Sequence, residues 1–325
     1  MARLFTSFWI AAISLAGLVV LLTACAPAAA SQATTAQIAT LTPTPAPALP
    51  ILATQTPRPI SGAQSPSPAP IGAGGASEVS DGEAIMTPTP SSLATIEPML
   101  TLGFSVENRP ITAYRFGTGD RIVVLVGGIH GGWEANTVTL MDEFRAHFTT
   151  NPADLPASTS LVIIPALNPD GITRGRTVEG RFNANRVDLN RNWGCDWSPQ
   201  AQWRDQLVSA GSAPMSEPET RALAAYLHRL RPAALLSFHS AANGVYRGTC
   251  AGDHGSALLT QIFGQAAPYP YQSTFAAYPV TGTLADWADG EGIAAADVEL
   301  INSTNTDFER NLRGVRAVLN WLAER

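Results

Sequence analysis

Residues 121–134 read RIVVLVGGIHGGWE. After one arginine the run is apolar, which predicts a strand buried on both faces over Arg121–Val126. Two glycines follow directly, and Glu134 comes four residues after His130. In α/β sheets, functional side chains collect where strands end, and a histidine with a carboxylate is a typical part of a metal site. The stretch therefore predicts an α/β sheet with chemistry at its carboxyl edge.

Apolar runs and helical patterns alternate through the rest of the chain. They comprise helical spacing over 135–148, a strand over 161–167, a helix opened by a capping box at 216–219 and ending at Arg229, strands over 233–238 and 295–300, and a closing helix over 307–322. This alternation predicts a single α/β domain with a mixed, mostly parallel twisted sheet flanked by helices. The long irregular stretch over 168–215 is typical of a functional region.

The N-terminus resembles an export signal. Arg3 precedes an apolar run over residues 8–22, which is short for a membrane span. The run ends in Leu-Thr-Ala-Cys, which resembles the bacterial lipobox, so we expect a lipoprotein signal peptide over 1–24 and lipidation of Cys25. The alternative is an ordinary secretory signal cleaved near residues 28–30. Either way, we expect an exported protein, lipid-anchored to the outer face of the cell membrane or secreted.

Residues 25–100 are rich in Pro, Thr and Ala, with few aromatic residues and no amphipathic period. Such a segment cannot bury enough apolar surface to fold, which predicts a disordered tether. It is also too disordered to plug a site as a propeptide, so we expect activity without proteolytic activation. Residues 101–325 are then expected to be the one folded domain, which would carry any catalytic site.

The charge and the basic residues exclude several classes of function. The net charge of −6 argues against a nucleic-acid partner. All 20 basic residues are arginine. Mechanisms that need a lysine, such as Schiff bases, Ser–Lys pairs and P-loop phosphate binding, are therefore excluded.

The chain has 3 cysteines, an odd number that needs an explanation in an exported protein. Lipidation of Cys25 would leave Cys195 and Cys250 to pair in an oxidising compartment. A zinc site built on these two thiols is the alternative, but neither lies in a CxxC pair.

Histidines and glutamates mark the ends of three predicted strands. His130 and Glu134 follow the first, His239 follows the strand over 233–238, and Glu299 lies near the end of the strand over 295–300. Two imidazoles and a carboxylate with an open position make a catalytic zinc site, and a further carboxylate could serve as the base. The sequence predicts one Zn²⁺ per chain.

Residues 181–193, RFNANRVDLNRNW, carry the most specific signal. This segment resembles the DLNRN region of the M14 zinc carboxypeptidases, the carboxypeptidase A and B superfamily, and the resemblance extends over residues 100–325. It implies zinc ligands at His130, Glu134 and His239, a general base and acid at Glu299, an oxyanion-stabilising Arg181, a clamp for the substrate's terminal carboxylate at Asn190 and Arg191, and a mobile tyrosine at Tyr278.

The resemblance implies a metallocarboxypeptidase that hydrolyses the C-terminal bond of a peptide with a free carboxylate. One departure concerns the ligands, because the family usually spaces them as HxxE, a pattern that would place Trp133 where a carboxylate belongs. Ala285 lies near the position of the family's specificity pocket. It carries no charge, so we expect the substrate's last residue to have a small or apolar side chain.

Two alternatives stay open on the sequence alone. A murein-peptide hydrolase, or another amide or ester hydrolase, could use the same zinc centre. A binding lipoprotein without catalytic activity is the second, although the presence of Glu299 disfavours it.

Overall fold

The computed structural model describes residues 99–250, 252–272 and 274–325, and of Gln272 only the backbone. The predicted signal peptide, Cys25 and all but the end of the predicted tether lie outside the described residues. No helix among the described residues is long and apolar enough to cross a membrane.

The domain is built on a central sheet of 8 strands, and a separate hairpin contributes 2 more. The strands are β1 (Leu100–Phe104), β2 (Pro110–Phe116), β3 (Arg121–Val126), β4 (Thr159–Ile164), β5 (Gln200–Trp203), β6 (Gln206–Ser209), β7 (Ala234–Ser240), β8 (Gly244–Arg247), β9 (Tyr271–Gln272) and β10 (Ala294–Leu300). The order in the sheet is β1-β2-β4-β3-β7-β10-β8-β9, and β5 pairs with β6.

The centre of the sheet is parallel. Strands β4, β3, β7 and β10 pair in parallel, whereas β1, β2 and β8 join as antiparallel neighbours. The predicted mixed, mostly parallel sheet is confirmed. Because parallel strands end at the same edge, the carboxyl ends of β3, β7 and β10 lie side by side.

Helices cover both faces of this sheet. They are α1 (Ala135–Thr150), α2 (Pro169–Thr173), α3 (Pro218–Leu230), α4 (Ser256–Ala266), α5 (Leu284–Gly290) and α6 (Phe308–Ala323). One buried core joins the sheet to α1, α4 and α6, and a second joins it to α3 and α5. Strand β3 contributes side chains to both cores, since Val123 packs in the first and Val124 in the second. Its continuous apolar sequence follows from this burial on both faces.

Among the differences between the predicted boundaries and the structure, those at β4, α3 and β7 have a clear local cause. Strand β4 ends at Ile164, before Pro165, which has no N–H to donate to a neighbouring strand. The predicted capping box is wrong: α3 begins at Pro218, and the Ser216 hydroxyl donates to the Glu217 carboxylate at 2.7 Å. Strand β7 continues through His239, so this histidine belongs to the strand and does not follow it.

Candidate active site

The loop after β3 brings His130 and Glu134 together. Residues Gly131–Glu134 form a 3-10 turn, and Glu134 Oε1 lies 2.9 Å from His130 Nδ1. Gly131 has a φ of 46°, and a Cβ there would lie 2.5 Å from Gly180 O, so this position requires glycine. The tight turn accommodates the extra residue between the two ligands. Trp133 instead packs edge-on against Trp203, with ring centroids 5.4 Å apart.

His239 completes a group that fits a metal ion. Its Nδ1 lies 3.4 Å from His130 Nδ1 and 3.5 Å from Glu134 Oε2. Ligand atoms of these three buried residues all lie within 4.8 Å of one another. Two ring nitrogens this close need a proton or a cation between them, and two imidazoles with a carboxylate are a donor set typical of zinc. The residues therefore fit a zinc ion held by His130, Glu134 and His239.

The outer nitrogen of each histidine faces a carboxylate. His130 Nε2 lies 3.3 Å from Asp188 Oδ1. His239 Nε2 lies 3.2 Å from Asp297 Oδ1 and 2.9 Å from the hydroxyl of Ser237. Partners of this kind fix the ring orientation and the tautomer of a ligating histidine. They leave both Nδ1 atoms facing the metal position.

The charges of the site are set by these neighbours. Burial disfavours ionisation of Glu134, but the two histidines outweigh it and hold the pKa of Glu134 below its usual range. Burial likewise opposes ionisation of Asp188, and the charge of Arg181 keeps the pKa of Asp188 well below its usual range. Both carboxylates are therefore anionic at neutral pH.

Arg181 is held beside the metal position. Its Nε and Nη2 both donate to Asp188 Oδ2, at 3.0 and 2.8 Å, and its Nη1 lies 3.5 Å from Glu134 Oε1. The guanidinium carbon lies 4.6 Å from the centre of the Trp203 ring. The side chain is almost fully buried, so its position is tightly determined.

Glu299 lies across from the ligands on β10. It is the register partner of His239 in the parallel pairing of β7 and β10. Its Oε2 accepts a hydrogen bond from the backbone N–H of Ala242 at 3.1 Å. Burial raises the pKa of Glu299 to about 7. A carboxyl with such a pKa can both accept and release a proton near neutral pH.

Asn190 and Arg191 face the same space. Asn190 Oδ1 accepts from the backbone N–H of Leu284 at 2.9 Å, which turns the Nδ2 donor toward other partners. Arg191 donates through Nε to Gln202 O at 3.0 Å and through Nη1 to Asn190 O at 2.7 Å. These bonds fix the guanidinium at the cavity wall. Tyr278 is half-buried and packs edge-on against Phe275, with ring centroids 5.0 Å apart.

A cavity of about 950 Å³ connects all eight residues that the sequence singled out for metal, catalytic and substrate roles. The predicted residues in its wall are His130, Glu134, Arg181, Asn190, Arg191, His239, Tyr278 and Glu299. Its wall also contains groups that the sequence did not single out, namely the hairpin residues Gln202, Trp203, Arg204 and Asp205, with Tyr246, Phe275 and Asp297.

Asp297 belongs to the cavity wall, whereas Ala285 does not. Asp297 lies two residues before Glu299, on the same face of β10, so strand alternation could have identified it. Ala285 is buried in the core and does not line the cavity, so it says little about the substrate's side chain.

A disulfide joins Cys195 and Cys250 across 55 residues of sequence. The pairing that the cysteine count left open is therefore present in the structure. It ties the loop after Trp193 to the segment that precedes α4.

Comparison with known proteins agrees with this geometry. The family model for Peptidase_M14, described as zinc carboxypeptidase, matches residues 91–309. Murein peptide amidase A of Escherichia coli (strain K12) is 28% identical over 209 residues, which cover 61% of this chain and 79% of that protein. Carboxypeptidase B of Astacus astacus is 26% identical over 287 residues, which cover 72% of this chain and 93% of that protein.

Solved structures share the fold. Thrombin-activatable fibrinolysis inhibitor superposes with a TM-score of 0.61 at 19% identity, covering 71% of this chain and 70% of that one. The murein-tripeptide amidase MpaA of Escherichia coli O157 superposes with a TM-score of 0.51 at 23% identity, covering 69% of this chain and 91% of that one. Since the family match spans most of the described domain and contains all three residues around the metal position, the chain belongs to the Peptidase_M14 zinc carboxypeptidase family.

Proposed function

We propose that this zinc hydrolase is a metallocarboxypeptidase, which releases the C-terminal residue of a peptide with a free carboxylate. The observation that carries the proposal is the shared cavity, which is lined both by Asn190 and Arg191 and by the three metal-holding residues. A guanidinium and an amide donor form a forked site for a carboxylate. A substrate held there by its terminus would present its last peptide bond to the metal centre.

The roles of the remaining residues follow from their positions. Zinc bound by this triad would supply an activated water at neutral pH and polarise the scissile carbonyl. Glu299 would take a proton from the attacking water and pass it to the leaving amine. Arg181, fixed by Asp188, would stabilise the negative charge that develops on the carbonyl oxygen. Tyr278 would close over the bound substrate from the cavity wall.

A panel of matched peptides with free and amidated C-termini tests the proposal. We expect release of the last residue from the free peptides only, and loss of that release when a chelator is present. Arg191→Ala should raise KM for free peptides, whereas Arg313→Ala, on the exposed surface of α6, is the matched control. Cleavage of the amidated peptides at equal rates would overturn the carboxylate clamp. Zinc binding with no cleavage of either set would favour a binding lipoprotein.

A second candidate is an amidase that acts on cell-wall peptides. The supporting observation is the 28% identity to murein peptide amidase A over 79% of that protein. The two candidates share one zinc centre and differ in the bond that is cut. Incubation with purified murein peptides, followed by mass spectrometry of the fragments, distinguishes them. Products from murein peptides but none from linear α-peptides would favour the amidase.

We also propose that the protein is exported and anchored through a lipid on Cys25, with residues 25–100 as its tether and residues 101–325 as its catalytic domain. The disulfide between Cys195 and Cys250 supports an oxidising compartment and leaves Cys25 as the odd thiol. Metabolic labelling with a fatty-acid analogue should mark the wild type and not Cys25→Ser. Equal labelling of both proteins, or labelling of neither, would contradict the anchor.

A further inference from the structure

Asn136 lies two residues after Glu134, at the second position of α1, and is only 5% exposed. Asparagine is a poor helix former, because its short amide competes for the backbone hydrogen bonds of the helix. Among the described residues, its side chain bonds only to segments outside α1. The helix itself therefore does not account for a buried asparagine at this position.

The Asn136 amide joins two segments that are far from it in sequence. Its Nδ2 donates to Asn302 O and to Asn305 O, both at 3.0 Å. Its Oδ1 accepts a hydrogen bond from the Ser240 hydroxyl at 3.0 Å. The amide thus uses both its donor and its acceptor groups. It connects the start of α1, the end of β7 and the loop after β10.

Ser240 connects Asn136 to the metal position. It is the last residue of β7, directly after His239, and its backbone N–H donates to Glu134 Oε2 at 3.2 Å. The other oxygen of that carboxylate lies 2.9 Å from His130 Nδ1. A hydrogen bond to an ionised carboxylate is stronger than one between neutral groups. A displacement of Ser240 would therefore move the Glu134 carboxylate relative to both histidines.

The loop after β10 presents two carbonyls to Asn136 by means of a turn of its own. The Asn302 side chain accepts hydrogen bonds from the backbone N–H groups of Thr304 and Asn305, at 2.9 and 2.8 Å. Glu299 lies near the end of β10, three residues before Asn302. The amide therefore ties the start of α1 to the strand that carries the proposed base.

We propose that Asn136 is a positioning residue of the metal centre, which holds the carboxylate of Glu134 in place through Ser240. Without the amide, two carbonyls and a hydroxyl would lose a hydrogen bond in a largely buried place, which is costly. Outer partners of this kind orient metal ligands, and their loss weakens metal binding. The inference rests on the zinc centre that the proposed function uses, but it does not depend on which bond is cut.

Zinc affinity measures this role without any peptide substrate. Competition with a chromophoric chelator gives the dissociation constant of the wild type, of Asn136→Ala and of Ser240→Ala. We expect each substitution to weaken zinc binding about 10- to 100-fold. The double variant should bind zinc about as weakly as the weaker single variant, because both substitutions remove the same link. Thr139→Ala, at an exposed position of the same helix, should leave the affinity unchanged.

A second control separates positioning from a general loss of stability. Val318→Ala removes buried apolar atoms on α6, away from the catalytic cavity, and should lower the free energy of unfolding of the metal-free protein. It should keep the zinc affinity of the wild type. Cobalt in place of zinc adds a spectroscopic readout, since the visible bands of Co²⁺ depend on the geometry of its ligands. These bands should change in Asn136→Ala and Ser240→Ala, and stay as in the wild type in Val318→Ala.

Wild-type zinc affinity and cobalt bands in a folded Asn136→Ala protein would overturn the inference. If that variant does not fold, Ser240→Ala decides: weaker zinc binding supports the inference, and unchanged binding overturns it. Fully additive losses in the double variant would also contradict it, because they would mean that the two residues act separately. If zinc binding weakens as expected and no peptide is cleaved by the wild type, only the proposed function fails.

Discussion

His239 and Glu299 are direct neighbours in the parallel pairing of β7 and β10. One residue belongs to the metal-holding triad and the other is the proposed base. A shift of one residue in this pairing would turn Glu299 to the opposite face of the sheet, because side chains alternate along a strand. The register of these two central strands therefore sets the distance between the metal position and the base.

The first prediction concerns the proposed base. Glu299→Gln keeps the shape of the side chain and removes its ability to accept a proton. We expect kcat to fall by about 10²- to 10⁴-fold, with zinc content unchanged. The exposed Glu309 offers a matched control, since Glu309→Gln should leave kcat unaltered. Full activity of the Glu299→Gln protein would remove this residue from the mechanism.

The second prediction concerns the stability of the metal-free protein. Burial raises the pKa of Glu299 from 4.5 in the unfolded chain to about 7 in the folded state. Between these two pH values the folded protein therefore holds a proton on Glu299 that the unfolded chain has lost. Stability attributable to this residue is full below pH 4.5 and falls as the pH rises toward 7. Glu299→Gln should therefore stabilise the chelated protein at pH 8, by on the order of 3 kcal/mol.

Urea unfolding in the presence of a chelator measures this difference, which should shrink as the pH approaches 5. A variant that is less stable than the wild type at pH 8 would show that the buried charge of Glu299 is better compensated than its surroundings indicate.

The third prediction concerns the buried pair of Arg181 and Asp188. Arg181→Met leaves the Asp188 carboxylate buried without its cation, which should destabilise the metal-free protein by about 3–5 kcal/mol. Adding Asp188→Asn removes the uncompensated charge and should restore part of that loss. Urea unfolding of the single and double variants decides the point. A double variant no more stable than Arg181→Met would contradict the ion-pair account.

The fourth prediction concerns the disulfide. Cys195 and Cys250 close a loop with a sequence separation of 55, for which the chain-entropy model gives about 4 kcal/mol of stability. Replacing both cysteines by serine should lower the free energy of unfolding by an amount of that order. Thiol titration of the denatured, unreduced protein checks the bond itself. Reactive thiols at both positions would mean that the pair is not formed.

How well the sequence predicts the strands of the sheet depends on how deeply each strand is buried. Strands β3 and β10 are covered on both faces, so their apolar runs stand out and their predicted bounds differ little from the structure. Strand β1 is largely exposed and β9 has only 2 residues, so neither leaves a clear pattern. Edge strands of this kind are determined by pairing with a formed sheet, which a local pattern does not record.

The residues of the site also differ in how well the sequence predicts them. Its metal triad could be predicted because His130 and His239 are polar residues next to apolar runs. The hairpin that carries Trp203 was not predicted, because its turn residue Arg204 has a φ of 57° without the glycine that usually signals such a turn. Asp297 lies inside an apolar strand, and its position two residues before Glu299 is the sequence signal that places it on the cavity face.

Zinc titration of the stripped enzyme tests the central claim most directly. The protein is freed of metal with a chelator, and hydrolysis of a peptide with a free C-terminus is followed as zinc is returned. Activity should rise linearly and stop rising at one zinc per chain in the wild type, and His239→Ala should show no comparable recovery. Full activity in the stripped protein, or full recovery in His239→Ala, would contradict a zinc centre built on His130, Glu134 and His239.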